Sequence, residues 1–292
     1  MGAELPPTLD PDEIATRYRI VGRRPELRAI LACLRAGRNV LLEGPVGVGK
    51  TALAHAVSEG IGRGWVRVDG DGRYSEAKLV GHFDPPGVLE KGYQPDLFVP
   101  GPLVGAMQAG AVLFMNELNR MPEGVQNVLL PAMDEGVVYV PHMGTVRAKK
   151  GFCVVATQNP AEFVATGHLS EALLDRFELV KLDYQPGEDE QVIVHQEACC
   201  QPSPDLVVQA VELVRATRSD PRIRRGASVR AAVAIADLAV MLDDDVQAAA
   251  QLALPTRIEL VDQRETDLAA LLVELHKAAE KKKMSSGGPP ST

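Results

Sequence analysis

The chain has 292 residues, 46% of them hydrophobic and 24% charged, a composition typical of a globular protein with a sizeable core. Its net charge is −8, so duplex nucleic acid is not expected as the main partner, because phosphate binding requires a basic face. Aromatic residues make up only 4%, which argues against a base-stacking surface. Neither a membrane-spanning run nor a secretion signal is found, and a cytoplasmic location is expected.

Short apolar runs alternate with helical patterns over the first part of the chain. Residues 1–18 are rich in proline and polar side chains, so we expect a flexible leader. Residues 19–184 contain five short apolar runs, and several are nearly continuous in apolar character, as strands covered on both faces of a parallel sheet should be. The runs are Val40–Leu42, Trp65–Val68, Ala111–Met115, Phe152–Ala156 and Phe177–Val180. This alternation predicts an α/β domain built on a five-stranded parallel sheet.

A different pattern begins in the C-terminal part of the chain. Amphipathic stripes that follow Ser203 and Ser228, among others, predict a small all-α domain over residues 185–264. Residues 265–292 predict one more helix and then a flexible tail of Ser, Gly and Pro. The single apolar stripe of that helix favours packing on the all-α domain over docking as a coiled coil.

The cysteines and histidines show no metal-binding pattern. Cys33, Cys153, Cys199 and Cys200 lack the spacing of a zinc site or of a Cys-x-x-Cys redox pair. They are predicted to be small, buried and reduced side chains. The six histidines are scattered, and none is assigned to a metal.

The strongest motif is a glycine-rich loop between a predicted strand and a predicted helix. Its residues are Gly44, Pro45, Val46, Gly47, Val48, Gly49, Lys50 and Thr51. In this context glycines allow backbone N–H groups to surround phosphates at the positive end of the helix. Lys50 is predicted to reach the β- and γ-phosphates, and the Thr51 hydroxyl to ligate Mg²⁺. No Asn-Lys-x-Asp motif for guanine recognition is found, which disfavours GTP.

Polar residues follow two of the apolar runs, where the carboxyl ends of parallel strands meet. Glu117 comes after Ala111–Met115 and is predicted to orient and deprotonate the attacking water. Asn116 stands where a magnesium-binding Asp is usual. Its amide can contact Mg²⁺ through a water but brings no negative charge, so weaker metal binding and slower turnover are expected. Asn159 ends another run and could help to position the water, although Asn-Pro alone also indicates a turn.

Two arginines complete the set of candidate residues, and together the motifs resemble an AAA+ ATPase of the MoxR type. Arg176 and Arg230 lie downstream of the glycine-rich loop, each in a short motif of its own. Magnesium-chelatase motor subunits share the same plan. The matching segments are Gly44–Thr51, Phe114–Glu117, Ala156–Pro160, Leu174–Phe177 and Gly226–Ala231.

The resemblance implies an AAA+ P-loop NTPase core followed by a helical lid, in a ring that is usually a hexamer. ATP and Mg²⁺ would be bound between subunits. The residues that would act on the nucleotide of their own subunit are Lys50, Thr51, Glu117, Asn159 and Arg230. Arg176 would instead reach into the site of the neighbouring subunit.

The resemblance also implies contacts with other proteins. Residues 81–100 correspond to an insert, and residues 137–150 to a hairpin, that tend to face the ring pore or a partner. Lys91, Tyr93 and His142 are therefore candidate contact residues, and the alternative is that they are ordinary loop side chains. A protein client and a partner with a von Willebrand factor A domain are expected.

Three functions are consistent with these observations. The first is an ATP-driven, chaperone-like motor that matures or activates a protein client or a metal-containing complex. The second is a nucleotide-gated switch that hydrolyses ATP weakly because of Asn116. The third is the motor subunit of a metal chelatase.

Overall fold

A computed structural model describes residues 9–159, 169–262 and 266–286, with side chains up to residue 278. The chain divides into two compact units. The first contains Met1–Pro45 and Gly49–Asp183, and the second contains Val46–Val48 and Tyr184–Thr292. Among the described residues, no helix is both long and apolar enough to cross a bilayer.

The first unit alternates strands and helices, as the sequence predicts. In chain order, its elements are α1 (Pro11–Arg17), α2 (Arg24–Arg35), β1 (Asn39–Glu43), α3 (Lys50–Gly60), β2 (Trp65–Asp69), α4 (Glu76–Val80), β3 (Gly81–Phe83), α5 (Pro85–Lys91), β4 (Phe98–Pro100), α6 (Pro102–Ala109), β5 (Val112–Asn116), α7 (Glu123–Asn127), α8 (Leu129–Asp134), β6 (Val137–Val140), β7 (Gly144–Arg147), β8 (Cys153–Gln158), α9 (Glu171–Leu174) and β9 (Phe177–Lys181), with 3₁₀ helices at Pro95–Leu97 and Leu118–Arg120.

Five parallel strands form the central sheet in the order β2-β5-β8-β1-β9, which confirms the predicted α/β fold. All six residues of β8 are buried, and so are the three middle residues of β1. Strands buried on both faces explain why their sequences are almost continuously apolar. Polar residues therefore occur mainly where strands end, at the carboxyl edge of the sheet.

The predicted insert and hairpin are both present as separate two-stranded sheets. β3 pairs with β4 in antiparallel register, and α5 lies between them in sequence. β6 pairs with β7 in the same way, and Val140 faces Gly144 at the turn. The Tyr93 ring stacks on the His142 ring with a centroid distance of 3.8 Å, so side chains of the insert and the hairpin touch.

Residues 11–17 of the predicted flexible leader form the helix α1, whereas residues 1–8 lie outside the described residues. Asp10 accepts hydrogen bonds from the backbone of Asp12 and Glu13, and Glu13 bonds back to Asp10, which fixes the helix start. The Ile14 side chain is fully buried. It lies so close to Gly60 that a Cβ there would be 2.4 Å from Ile14 Cδ1.

We expect Ile14→Ala to destabilise the first unit by about 2–5 kcal/mol, because it removes a fully buried side chain from a tight contact. Trp65, the single tryptophan, stacks on Phe114 in this unit, so its fluorescence during urea unfolding measures the change. Leu89→Ala is the control, because Leu89 is 89% exposed and its loss should change stability by less than about 0.5 kcal/mol. Equal midpoints for the two variants would show that α1 adds nothing to stability.

The second unit is helical, with one small sheet that the sequence pattern did not predict. Its elements are α10 (Gly187–Glu197), α11 (Pro204–Ser219), β10 (Ile223–Arg225), α12 (Val229–Met241), α13 (Val246–Ala253), β11 (Glu259–Leu260) and α14 (Leu268–Ser286). β10 and β11 pair in antiparallel register over too few residues to give an alternating pattern. Leu271 and Leu272 of α14 are buried, and α14 contacts α11 and α13, as its apolar stripe predicts. Residues 287–292 of the predicted tail lie outside the described residues.

The prediction of four buried cysteines is wrong for three of them. Cys153 is buried, and burial raises the pKa of its thiol. Cys33 and Cys200 are only half-buried, and Cys199 is exposed. The last two follow the end of α10, where the chain runs over the surface of the second unit and no longer faces its core.

Candidate functional site

The glycine-rich loop joins the carboxyl end of β1 to the first turn of α3. Gly49 precedes the helix with φ +93°, a backbone conformation that glycine adopts without strain. A Cβ on Gly44 would lie 2.2 Å from the carbonyl oxygen of Leu182, so only glycine fits there. The first turn of any helix directs backbone N–H groups outward, and glycine has no side chain to cap them. This geometry suits an anionic ligand such as a phosphate.

Lys50 is held over the loop by two of its carbonyl groups. Its Nζ donates to the carbonyl oxygen of Gly44 at 2.6 Å and to that of Pro45 at 2.8 Å. The side chain is half-buried, and its ammonium group therefore lies inside the curve of the loop. Thr51, also half-buried, follows in the first turn of α3.

Asn116 is the last residue of β5, Glu117 follows it, and both are hydrogen-bonded to the neighbouring strand β8. The fully buried Thr157 hydroxyl donates to Asn116 Oδ1 at 3.0 Å and accepts from the Glu117 N–H at 2.8 Å. Glu117 has φ +54°, unusual for a non-glycine residue, and its N–H bond to Thr157 holds it in this conformation. Its carboxylate pairs with Arg120 Nε at 3.0 Å and remains one-third exposed.

Asp69, which the sequence reasoning missed, lies beside Asn116. The register of β2 and β5 places the two residues opposite each other, and Asn116 Nδ2 donates to Asp69 Oδ1 at 2.9 Å. Hydrogen bonds from Arg67 lower the pKa of the Asp69 carboxyl, and the bond from Asn116 lowers it further. A negative charge is thus present next to the amide that replaces the usual Asp. The signal in the sequence was available, since Asp69 also follows an apolar run.

Asn159 follows β8 at the same carboxyl edge and is 3% exposed. The residue before it, Gln158, donates to Glu43 Oε2 at 2.6 Å. Glu43 is the last residue of β1 and directly precedes the glycine-rich loop. The structure therefore gathers Lys50, Thr51, Asn116, Glu117 and Asn159 at one edge of the sheet.

Arg176 lies at the opposite edge of the sheet. It precedes β9, and its neighbour Phe177 pairs with Asn39, the first residue of β1. A five-residue strand spans about 15 Å, so Arg176 is far from the loop at the other end of β1. Arg176 Nε donates to Asp134 Oδ2 at 2.7 Å, and this bond raises the pKa of the guanidinium group.

Comparisons with known proteins agree with this architecture. The family model of the AAA domain (dynein-related subfamily) matches residues 39–177. An uncharacterized protein of Staphylococcus saprophyticus is 29% identical over 250 residues, which cover 83% of this chain and 92% of that protein. A solved structure of a candidate ATPase from Cytophaga hutchinsonii has a TM-score of 0.52 and 22% identity, over 91% of this chain and 93% of that one. The structure of NtrX from Brucella abortus, in complex with ADP, has a TM-score of 0.56 and is 19% identical. The match covers 92% of this chain and 63% of NtrX.

The fold is that of an AAA+ P-loop NTPase. The described glycine-rich loop, Asn116, Glu117 and Asn159 lie together at the carboxyl edge of this sheet. Arg230 lies in the first turn of α12 in the second unit and is exposed. Pro160, at the end of the segment around Asn159, lies outside the described residues.

The residues of the glycine-rich loop fit a nucleotide with Mg²⁺. The loop forms a cradle that depends on two glycines. A Cβ on Gly44 would clash with the backbone of Leu182, and a Cβ on Gly49 would strain its positive φ. Lys50 supplies a cation inside it, and Thr51 supplies a hydroxyl. Oxygen donors of this kind suit Mg²⁺, and the Asn116 amide oxygen keeps a second lone pair beyond its bond to Thr157.

Proposed function

We propose that this chain is an ATP-hydrolysing ring motor of the MoxR type. The observation that carries the proposal is the division of its candidate residues between the two edges of the sheet. Phosphate-binding and water-activating groups lie at the carboxyl edge, whereas Arg176 lies about 15 Å away, at the amino end of β9. Only a second copy of the chain could bring Arg176 to the γ-phosphate, which supports a ring, and six subunits are the proposed number.

Each residue has a defined task in the proposed reaction. The loop N–H groups and Lys50 hold the phosphates of ATP, and Glu117 orients the water and accepts its proton. Asn159 positions the water, while Arg230 and the neighbour's Arg176 stabilise the charge on the transferred phosphoryl group. Thr51 and, through a water, Asn116 would hold Mg²⁺, which supplies positive charge between phosphate oxygens when bound.

The proposed client contacts lie on the insert and the hairpin. A cavity of about 870 Å³ opens between them, and its lining includes Phe83, Tyr93, Tyr139 and His142. Tyr93 and Tyr139 are 51% and 70% exposed, although such large rings are usually covered. We propose that an apolar side chain of a protein client, or of a von Willebrand factor A partner, enters this cavity during remodelling.

Steady-state phosphate release with Mg²⁺-ATP, measured over a range of protein concentrations, tests the proposal. Turnover per subunit should rise with concentration, because Arg176 acts only between copies of the chain. Turnover that is independent of concentration, in a protein that stays monomeric with ATP, would contradict the ring. A partner with a von Willebrand factor A domain should change this turnover, and Tyr93→Ala should remove the change but leave the basal rate intact.

A second candidate function, a nucleotide-gated switch with weak hydrolysis, is favoured by one observation. The Asn116 amide is held between Asp69 and Thr157 and brings no charge of its own to the metal. In this alternative the carboxylate that is hydrogen-bonded to Asn116 is that of Asp69, and it is held by Arg67. ATP binding alone would then change the state of the protein.

Exchanging the side chains at positions 69 and 116 distinguishes the motor from the switch. We expect Asn116→Asp combined with Asp69→Asn to lower the Mg²⁺ concentration for half-maximal turnover by about tenfold, because the charge moves closer to the metal. Asp69→Asn alone should raise that concentration. Wild-type turnover no faster than that of Glu117→Gln, together with a large gain in the exchanged variant, would establish the switch and exclude the motor.

A further inference from the structure

The second unit contains a cluster of metal-ligating side chains apart from the nucleotide site. Cys199 and Cys200 follow α10, and Asp237 lies in the third turn of α12. Their ligand atoms, two sulfurs and one carboxylate oxygen, all lie within 4.8 Å of one another. We propose that Cys199, Cys200 and Asp237 bind one Zn²⁺ ion.

The distances match the edges of a tetrahedral zinc site. Zn–S bonds of about 2.3 Å and a Zn–O bond of about 2.1 Å give edges of about 3.8 Å between sulfurs and about 3.6 Å between sulfur and oxygen. Cys199 Sγ and Cys200 Sγ are 4.0 Å apart, and Cys199 Sγ is 3.2 Å from Asp237 Oδ2. The third pair, Cys200 Sγ and a carboxylate oxygen of Asp237, lies within 4.8 Å, so side-chain rotations can bring all three atoms onto one metal.

The carboxylate is already oriented for a single metal bond. Asp237 Oδ1 accepts a hydrogen bond of 2.9 Å from the backbone N–H of Cys200, and Oδ2 is directed at Cys199 Sγ. In metal sites, a hydrogen bond from a group that does not itself bind the metal holds the ligand in position and contributes to the affinity for the metal. Cys199 is exposed, so water can occupy the fourth position and the ion can enter from solvent.

The chemistry of the ligand atoms also favours zinc. Thiolates are soft ligands, so this site selects Zn²⁺ over the Mg²⁺ used with nucleotide. A bound ion would link the end of α10 to α12 and stabilise the second unit.

Cobalt titration of the full-length protein, kept reduced and free of nucleotide, tests the proposal. We expect a thiolate-to-cobalt charge-transfer absorption that saturates at one equivalent and is abolished by Zn²⁺. Cys199→Ser and Cys200→Ser should each remove it, and Asp237→Asn should weaken binding at least about tenfold. Cys33→Ser is the control, because Cys33 lies in the first unit, and it should bind as the wild type does.

A second measurement uses the unaltered chain, so it does not depend on the folding of any variant. Zn²⁺ should protect Cys199 and Cys200 from alkylation, as determined by peptide mass spectrometry, and leave Cys33 unprotected. Absence of the charge-transfer band at millimolar cobalt, a band that persists without both cysteines, or no protection would overturn the proposal. Neither readout requires ATP turnover, so failure here is distinct from failure of the proposed motor.

Discussion

Replacing Glu117 by Gln is expected to lower the rate of phosphate release by about 10²–10⁴-fold, because the amide cannot accept a proton from the attacking water. ATP binding should be unchanged. Glutamine has almost the same shape and can still accept a hydrogen bond from Arg120, which pairs with Glu117 at 3.0 Å. Phosphate release and equilibrium binding of a fluorescent ATP analogue, measured on the same preparation, distinguish these two effects.

Glu123→Gln is the matched control for this experiment. Glu123 lies on α7, six residues further along the chain, and is exposed. The Glu123→Gln substitution also removes one negative charge near Glu117, so any effect of net charge alone appears in both variants. A Glu117→Gln protein that retains more than about a tenth of wild-type turnover would contradict the assignment of Glu117 as the general base.

Replacing Arg176 by Ala is expected to lower turnover by about 10³-fold or more, with little change in ATP affinity. The side chain is remote from the loop of its own chain, so in the proposed ring its loss would affect the site on a neighbouring copy. Arg176→Lys should not restore the rate, because lysine lacks the planar fork of donors. Arg38→Ala, which removes another arginine at the same edge of the sheet, is the control and should be active.

Mixing two inactive variants tests whether Arg176 acts between subunits. In a mixed ring, a Glu117→Gln subunit presents an intact Arg176 to the intact site of an Arg176→Ala subunit. Random mixing in equal amounts restores about one quarter of the interfaces of a cyclic assembly. Turnover should therefore appear on mixing, although each variant alone is inactive. No recovery, with ring formation verified by light scattering, would place Arg176 outside the neighbouring site.

Most of the sheet could be predicted from the sequence because its strands are buried on both faces. Val40–Leu42 and Phe152–Ala156, for example, are continuous apolar runs that lie side by side in the structure. α1 could not be predicted in this way, since a seven-residue helix shows too little periodicity. Its stability comes from the Asp10 cap and from the contact of Ile14 with Gly60, and that contact is not visible in sequence.

The candidate site was predictable only in part. Lys50 and Glu117 belong to motifs whose spacing reflects their chemistry, so they can be identified without a structure. Asp69 depends on the register of β2 against β5, which pairs it with Asn116, 47 positions away. Cys199 and Asp237 are likewise brought together by the packing of two helices. Contacts of this kind arise from tertiary structure and leave no local pattern.

The position of β1 in the sheet has a consequence for synthesis of the protein on the ribosome. Val40 of β1 pairs with Val155 on one side and with Glu178 on the other, and both partners are made long after it. Pairings so distant in sequence form late, and the apolar strand stays uncovered until then. A nascent chain stopped before residue 153 would therefore carry the whole phosphate-binding motif yet bind no nucleotide.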